Sequence, residues 1–173
     1  MNNLTKDIIK GVAAGLFASW IKSIAEPPLQ RVGEKYFPPK AGQLSLKGAD
    51  VLHQPENMPP SILAKKVYHA TTGKELSKQQ ALTSMKVIHY ALGTVIGLTY
   101  VRLVNRHEKL KIEAGLTAGA AVWAATHGSV VPALGLQGKV KEMPSAWWVW
   151  EFGSHLVFGV AMEQSRQLLN KIF

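Results

Sequence analysis

From Ala114 to Gly138 the chain carries no Asp, Glu, Lys or Arg. A helix needs about 20 consecutive apolar residues to cross the hydrocarbon core of a bilayer. An uncharged helix of that length is rare inside a water-soluble domain. The block therefore predicts a membrane span, placed at about 112–131. Average composition conceals this. The chain has 173 residues, enough for one domain, and its 47% hydrophobic content is ordinary for a soluble protein. The signal lies in how charges are distributed, with apolar blocks left between charged junctions.

Three further blocks follow the same logic and predict helices at about 8–25, 86–104 and 146–169. The second contains His89 and ends near Arg102, which can reach toward headgroups. The last opens with Trp147, Trp148 and Trp150, an aromatic group suited to a membrane–water boundary. The stretch 27–84 is too polar to cross, and its prolines mark its first part as loop. Glu26-Pro27-Pro28 predicts the end of helix one, because proline disfavours helix in the residue before it. Within the loop, Ser61 is expected to cap a short amphipathic helix that Gly73 closes, and Ser77 to start a helix leading into helix two. The expected fold is all-α: one membrane domain of four transmembrane helices with a long, partly helical loop between the first two.

The formal net charge is +9. The basic residues form no single stripe and the aromatics sit inside apolar blocks, which excludes nucleic acid as the expected partner. Lys6 and Lys10, the group from Arg102 to Lys111, and Arg166 with Lys171 mark one side of the bilayer. The positive-inside rule then puts both termini in the cytoplasm. No signal-peptide cleavage pattern follows the first apolar block, so that block is expected to remain in the mature chain. Cysteine is absent, which excludes disulfides and thiolate metal sites.

Gly11 and Gly15, Gly93 and Gly97, and Gly115 and Gly119 form small-xxx-small pairs in three separate blocks. Lipid offers helices no hydrophobic drive to associate, so close backbone contact through glycine carries weight. These faces are candidate packing surfaces within a tight bundle, or for a membrane-protein partner or a second copy.

Each block also carries an ionisable residue: Glu26, His89, His127, and Glu151 with His155. Glu151 and His155 are four apart and share a helix face. With alternating helix directions and about 1.5 Å of rise per residue, Glu26, His89, His127 and Glu151 fall near one boundary, with His155 a turn deeper. The charge bias makes that side external. Ionised groups inside a bilayer cost several kcal/mol, so they face the bundle, pair with one another or mark a functional path. Three readings stay open: a polar network that fixes helix register, a proton- or ion-responsive site, and a metal site drawn from His89, His127, His155 and Glu151. No cofactor is expected. His53, His69 and His107 are placed in water. No phosphate-binding loop, His-Glu-x-x-His pattern or nucleophile elbow occurs, and Ser129 or Ser154 lacks an activating base in the pattern.

Gly11-Val12-Ala13-Ala14-Gly15 through Lys22 and Glu26-Pro27-Pro28-Leu29 form one characteristic stretch. His89 through Tyr100, Lys111, Gly115, Gly119, Trp123, His127, Pro132 and Leu134-Gly135-Leu136 form a second, and Pro144, Glu151-x-Gly153-x-His155, Glu163 and Arg166 a third. In order and spacing these resemble the YagU-like family of bacterial inner-membrane proteins, a domain family of unknown function. The resemblance implies a multi-pass, all-helical protein of the bacterial inner membrane and no established reaction. Family members carry Pro-Pro-Arg after the first helix, where this chain reads Leu29-Gln30-Arg31.

Overall fold

The computed structural model describes residues 2–107 and 115–172. Among them, five helices form and no β-strand does. Helix α1, Asn3–Tyr36, starts where the Asn2 side chain accepts from the Thr5 amide at 2.8 Å, satisfying one of the free donors of the first turn. It does not stop at Glu26 but runs on through Pro27 and Pro28. Proline in a helix interior costs about 3 kcal/mol. Packing supplies the offset. Leu29 rests on a cluster of buried tryptophans, and Gly33 lies so close to the last helix that a Cβ there would stand 2.8 Å from the Ala146 carbonyl.

Helix α2, Pro59–Thr72, begins on two prolines, whose fixed φ suits a first turn, and closes at Gly73 in the left-handed region (φ +69). Ser61 is not its cap. It sits inside the first turn, buried, and its hydroxyl donates to the Pro55 carbonyl at 3.1 Å. Helix α3, Lys78–Arg106, opens with a reciprocal capping box between Ser77 and Gln80, eight residues before the span predicted from hydropathy.

Helix α4, Leu116–Ala125, enters through Gly115 at φ +97, a conformation open mainly to glycine. It widens into a π turn, Thr126–Val130, and ends as Val131–Ala133. The predicted start of this span, 112–114, lies outside the described residues. Helix α5 comprises Ser145–Trp147, a second π turn, Trp148–Phe152, and Gly153–Ile172.

Helix α1 is the central element, with α3 along one flank and α5 along the other. Helix α4 packs on α5, and α2 on α3. The glycine pairs make the closest of these approaches. A Cβ on Gly11 would stand 2.6 Å from the Leu98 Cα, and one on Gly97 2.7 Å from the Gly15 Cα. Gly119 meets the backbone of Leu156 in the same way, at 3.0 Å, and Gly115 lies against Gly159. All three faces are thus filled within the chain.

Ala14, Ala18, Phe158 and Met162 form one buried cluster along the α1/α5 seam. A second joins Trp123, Trp147 and Trp150 to Ala49 and Met143 from the connections. Trp147 and Trp150 therefore point inward rather than toward headgroups, and of that trio only Trp148 is exposed. Large apolar side chains face outward instead, among them Ile8, Phe17, Trp20 and Ile24 on α1 and Val87, Leu92 and Val95 on α3. Two described helices, α1 and α3, are long and apolar enough to cross a membrane, with best windows of mean hydropathy 1.4 and 1.5. Those windows are only 39% and 28% buried, whereas the core helix of a soluble protein would be mostly buried.

Candidate functional site

The interior opposes the apolar outside. Lys22, Glu151, His155, Ser154 and Gln137 are all buried near one end of the bundle. Lys22 lies on the α1 face that also carries Gly11, Gly15 and Glu26, at steps of four, seven and four residues. Close packing at the glycines turns that face, and with it Lys22, toward α3 and α5. The Lys22 ammonium pairs with Glu26 one turn on and stands 3.4 Å from Glu151 Oε1.

Glu151 is the centre. Its Oε1 faces Lys22, His127 Nε2 at 3.4 Å and His155 Nδ1 at 3.2 Å. The His155 ring is also committed elsewhere, because its Nδ1 lies 2.8 Å from the Glu151 carbonyl and so donates to it. His127 and Glu151 each sit in a π turn. Such turns are rare and often mark functional positions, since the extra residue re-aims a side chain. The rings of His127 and His155 are 5.3 Å apart, and Trp147 stands 6.1 Å from His127.

Of the residues picked from sequence, Glu26, His127, Glu151 and His155 thus converge with Lys22. His89 stands beside them without touching Glu151; its Nε2 hydrogen-bonds the Ser19 carbonyl at 3.1 Å. His127, Glu151 and His155 present ligand-type atoms within 4.8 Å of one another, a spacing that suits a metal ion, and His89 is not part of that group. Two features weigh against a metal there. The Glu151 carboxylate already faces an ammonium, and the nearest His155 nitrogen is occupied by a backbone carbonyl. His53 and His69 are exposed and pair with Glu34 and Glu75 outside the bundle, and His107 is exposed.

A cavity of about 550 Å³ leads to the cluster, with Lys22, Glu26, His127 and Glu151 in its wall and Gln30, Asp50 and Lys86 among its other lining residues. A smaller one of about 150 Å³ has Ser19, Lys22 and His155 on its polar side and Leu92, Ile96, Val122 and Phe158 on its apolar side. Pro59 and Pro60 line both, so the start of α2 covers the cluster. The cap is tied down by the bonds Gly138 N to Lys47 O (2.9 Å), Lys66 Nζ to Leu134 O (3.2 Å) and Gln43 Nε2 to Glu142 O (3.2 Å). Two carboxyls in this cap have displaced titrations. Partial burial pushes Asp50 above the ordinary carboxylate range, and its Oδ1 has no hydrogen-bond partner. The hydrogen bond from Lys78, at 2.8 Å, holds Glu56 below it.

Sequence reasoning left Lys22 out of the polar cluster, although its four-residue spacing from Glu26 was the available signal, and it passed over Gln137 altogether. A second buried network was also missed as a network. Glu163 takes two hydrogen bonds from Arg166, both 2.7 Å, one from Gln167 and one from the Tyr100 hydroxyl, both 2.8 Å. The available signal was the three-residue spacing of Glu163 and Arg166 on one helix.

Fold and site define a class: an all-helical chain with two helices of membrane-crossing length and ionised side chains turned inward, apolar ones outward. Within that class, the chain belongs to the family described as "Protein of unknown function (DUF1440)", whose profile matches residues 30–164. No curated protein and no solved structure matches it.

Proposed function

We propose that this chain is a multi-pass protein of the bacterial inner membrane, similar to the YagU-like proteins, that responds to protons on the external side through the Glu151 cluster. In this reading α1, α3, α4 and α5 all cross the bilayer, both termini are cytoplasmic, and the cap formed by 37–77 and 134–144 is external. The carrying observation is the convergence of Lys22, Glu26, His127, Glu151 and His155 beside a cavity. Two carboxylates and one ammonium leave a net negative site when the histidines are neutral. Such a site favours taking up one further positive charge. Histidine is the side chain whose ordinary titration lies between pH 5 and 8, so the proton is the natural candidate.

The glycine faces are engaged within the chain, with α1 packed on α3 and α4 on α5 through them, which supports the proton reading over one in which those faces hold a partner or a second copy. The test uses the full-length protein in lipid vesicles, with tryptophan fluorescence and proton permeability followed from pH 8 to 5. Trp147 beside His127 is the internal reporter, since an imidazolium quenches a neighbouring indole. Wild type is expected to show an acid-induced change that Glu151→Gln and His127→Gln each abolish at equal protein level. Retention of the wild-type pH profile by both variants overturns the reading.

A further inference from the structure

Gln137 is a buried amide in the connection after α4, and nothing in hydropathy or periodicity singles it out. Its two ends grip one residue. Gln137 Oε1 lies 2.7 Å from His127 Nδ1, and Gln137 Nε2 donates to the His127 carbonyl at 3.2 Å. The opposite amide orientation would place its oxygen against that carbonyl, two acceptors face to face, so the orientation is fixed. An oxygen at 2.7 Å from Nδ1 requires a hydrogen on Nδ1. In the neutral ring, Nε2 must then carry the lone pair, and Nε2 is the atom that faces Glu151 Oε1 at 3.4 Å.

Two lone pairs directed at each other are unfavourable, and one proton relieves the conflict. Placed on Nε2 it makes an imidazolium beside a carboxylate; placed on Oε1 it makes a carboxylic acid donating to imidazole. Either way the proton lies in the same gap. We infer that Gln137 is a positioning residue: by holding the His127 proton on Nδ1, it places the exchangeable proton of this site between His127 Nε2 and Glu151 Oε1.

This deepens the proton-responsive reading and rests on it. The other charged or titratable groups around the pair are Lys22 and Glu26 from α1, His89 from α3 across the cavity, and His155 on α5, with Asp50 of the cap and Lys86 and Tyr90 of α3 lining the same cavity. None of them fixes the tautomer of His127. The cap does, because Gln137 is seated by it. A Cβ on Gly48 would lie 3.1 Å from Gln137 Cγ, and the next residue, Gly138, is hydrogen-bonded to Lys47. The external connections therefore reach the buried ring through one side chain.

The experiment is ¹⁵N NMR of histidine-labelled full-length protein in lipid nanodiscs, with His127 assigned by its loss in His127→Gln. In wild type above the transition, the neutral His127 ring should be protonated at Nδ1 and bare at Nε2. Gln137→Met, which removes the acceptor, should move that proton to Nε2, where it can donate to Glu151. The acid midpoint should then fall by about one pH unit, a tenfold loss of proton affinity. Gln137→Glu keeps an acceptor, should retain the Nδ1 proton and should raise the midpoint. Shifts of opposite sign are not what a purely structural role produces. A wild-type neutral ring protonated at Nε2 overturns the inference, and so does an unchanged tautomer in Gln137→Met. Should the Gln137 variants fail to fold, the wild-type spectrum still decides. Failure of the function proposal is read separately, as pH profiles indifferent to Glu151 and His127 while the ring nitrogens still report on Gln137.

Discussion

Lys22 is held by Glu26 and Glu151 together, and its removal leaves the buried Glu151 carboxylate with only histidines opposite it, while Glu26 is partly exposed. Breaking a buried ion pair from one side costs about 3–5 kcal/mol, because the remaining charge stays uncompensated. Lys22→Met should lower the thermal stability of the detergent-solubilised protein by that order. Lys22→Met combined with Glu151→Gln should recover most of the loss, since Glu26 is partly solvated. Additive losses in this pair would show that Lys22 does not compensate Glu151. Asp50 makes the opposite case. Its titration is raised in the folded chain, so the ionised form weakens the fold, and its stabilising contribution is complete only below the unfolded value of about 3.9. Asp50→Asn should therefore stabilise at pH 7, by less than about 1 kcal/mol because the site is partly solvated. The gain should fade as pH falls toward 4. The backbone suits the change, because φ at Asp50 is +47 and asparagine tolerates that region. A stability gain that persists unchanged at pH 4 would refute this account of the carboxyl.

At the scale of elements, the α1/α3 seam is set by glycine backbones in contact. A side chain at Gly97 would run into the backbone of Gly11 and Gly15, which cannot yield as a flexible side chain can. Overpacking costs about 1–3 kcal/mol where neighbours can shift, and more where they are backbone. Gly97→Val should separate α1 from α3 and break the His89 to Ser19 bond across that seam, destabilising the protein by at least that amount. Val95→Ala, on the exposed face of the same helix, should be nearly neutral in the same thermal assay. Equal behaviour of the two would mean that the seam does not hold the bundle.

Much of this level was legible in the chain. Apolar blocks between charged junctions located α1 and α3, Ser77 marked the start of α3, and Gly73 the end of α2. Three features were not legible, each for a physical reason. The passage of α1 through Pro27 and Pro28 depends on what Leu29 and Gly33 touch far along the chain, and local proline rules do not contain that. The π turns add a residue to a helical turn and change which way His127 and Glu151 point, and a 3.6-residue periodicity has no means of showing it. Gln137 lies in a connection, where no periodicity exists.

For the whole molecule, polarity is turned inside out along the bundle: Lys10, Lys22, Glu151, His155, Glu163 and Arg166 are enclosed, while Ile8, Phe17, Trp20 and Val95 face outward. In water that arrangement would leave apolar flanks of α1 and α3 unpaired; in lipid it is the arrangement of lowest cost. Four crossings have a geometric consequence that two crossings do not. With α1, α3, α4 and α5 all spanning, α2 and the 134–144 connection lie on one side, and the chain around His107 lies on the other with both termini. If α1 and α3 alone crossed, α4 and α5 would stay on the side of His107, and the bonds that join Lys47 and Lys66 to the 134–138 segment would have to form through the bilayer. The cap contacts therefore favour a third crossing, through α4, that brings the chain back to the side of α2. Native cysteine is absent, so single cysteines report cleanly. In intact spheroplasts, His69→Cys on α2 and Lys139→Cys in the connection should both react with a membrane-impermeant maleimide. His107→Cys should react only after permeabilisation. Labelling of Lys139→Cys together with His107→Cys, and apart from His69→Cys, would remove the last two crossings and leave the Glu151 cluster without the external face that the proton reading requires.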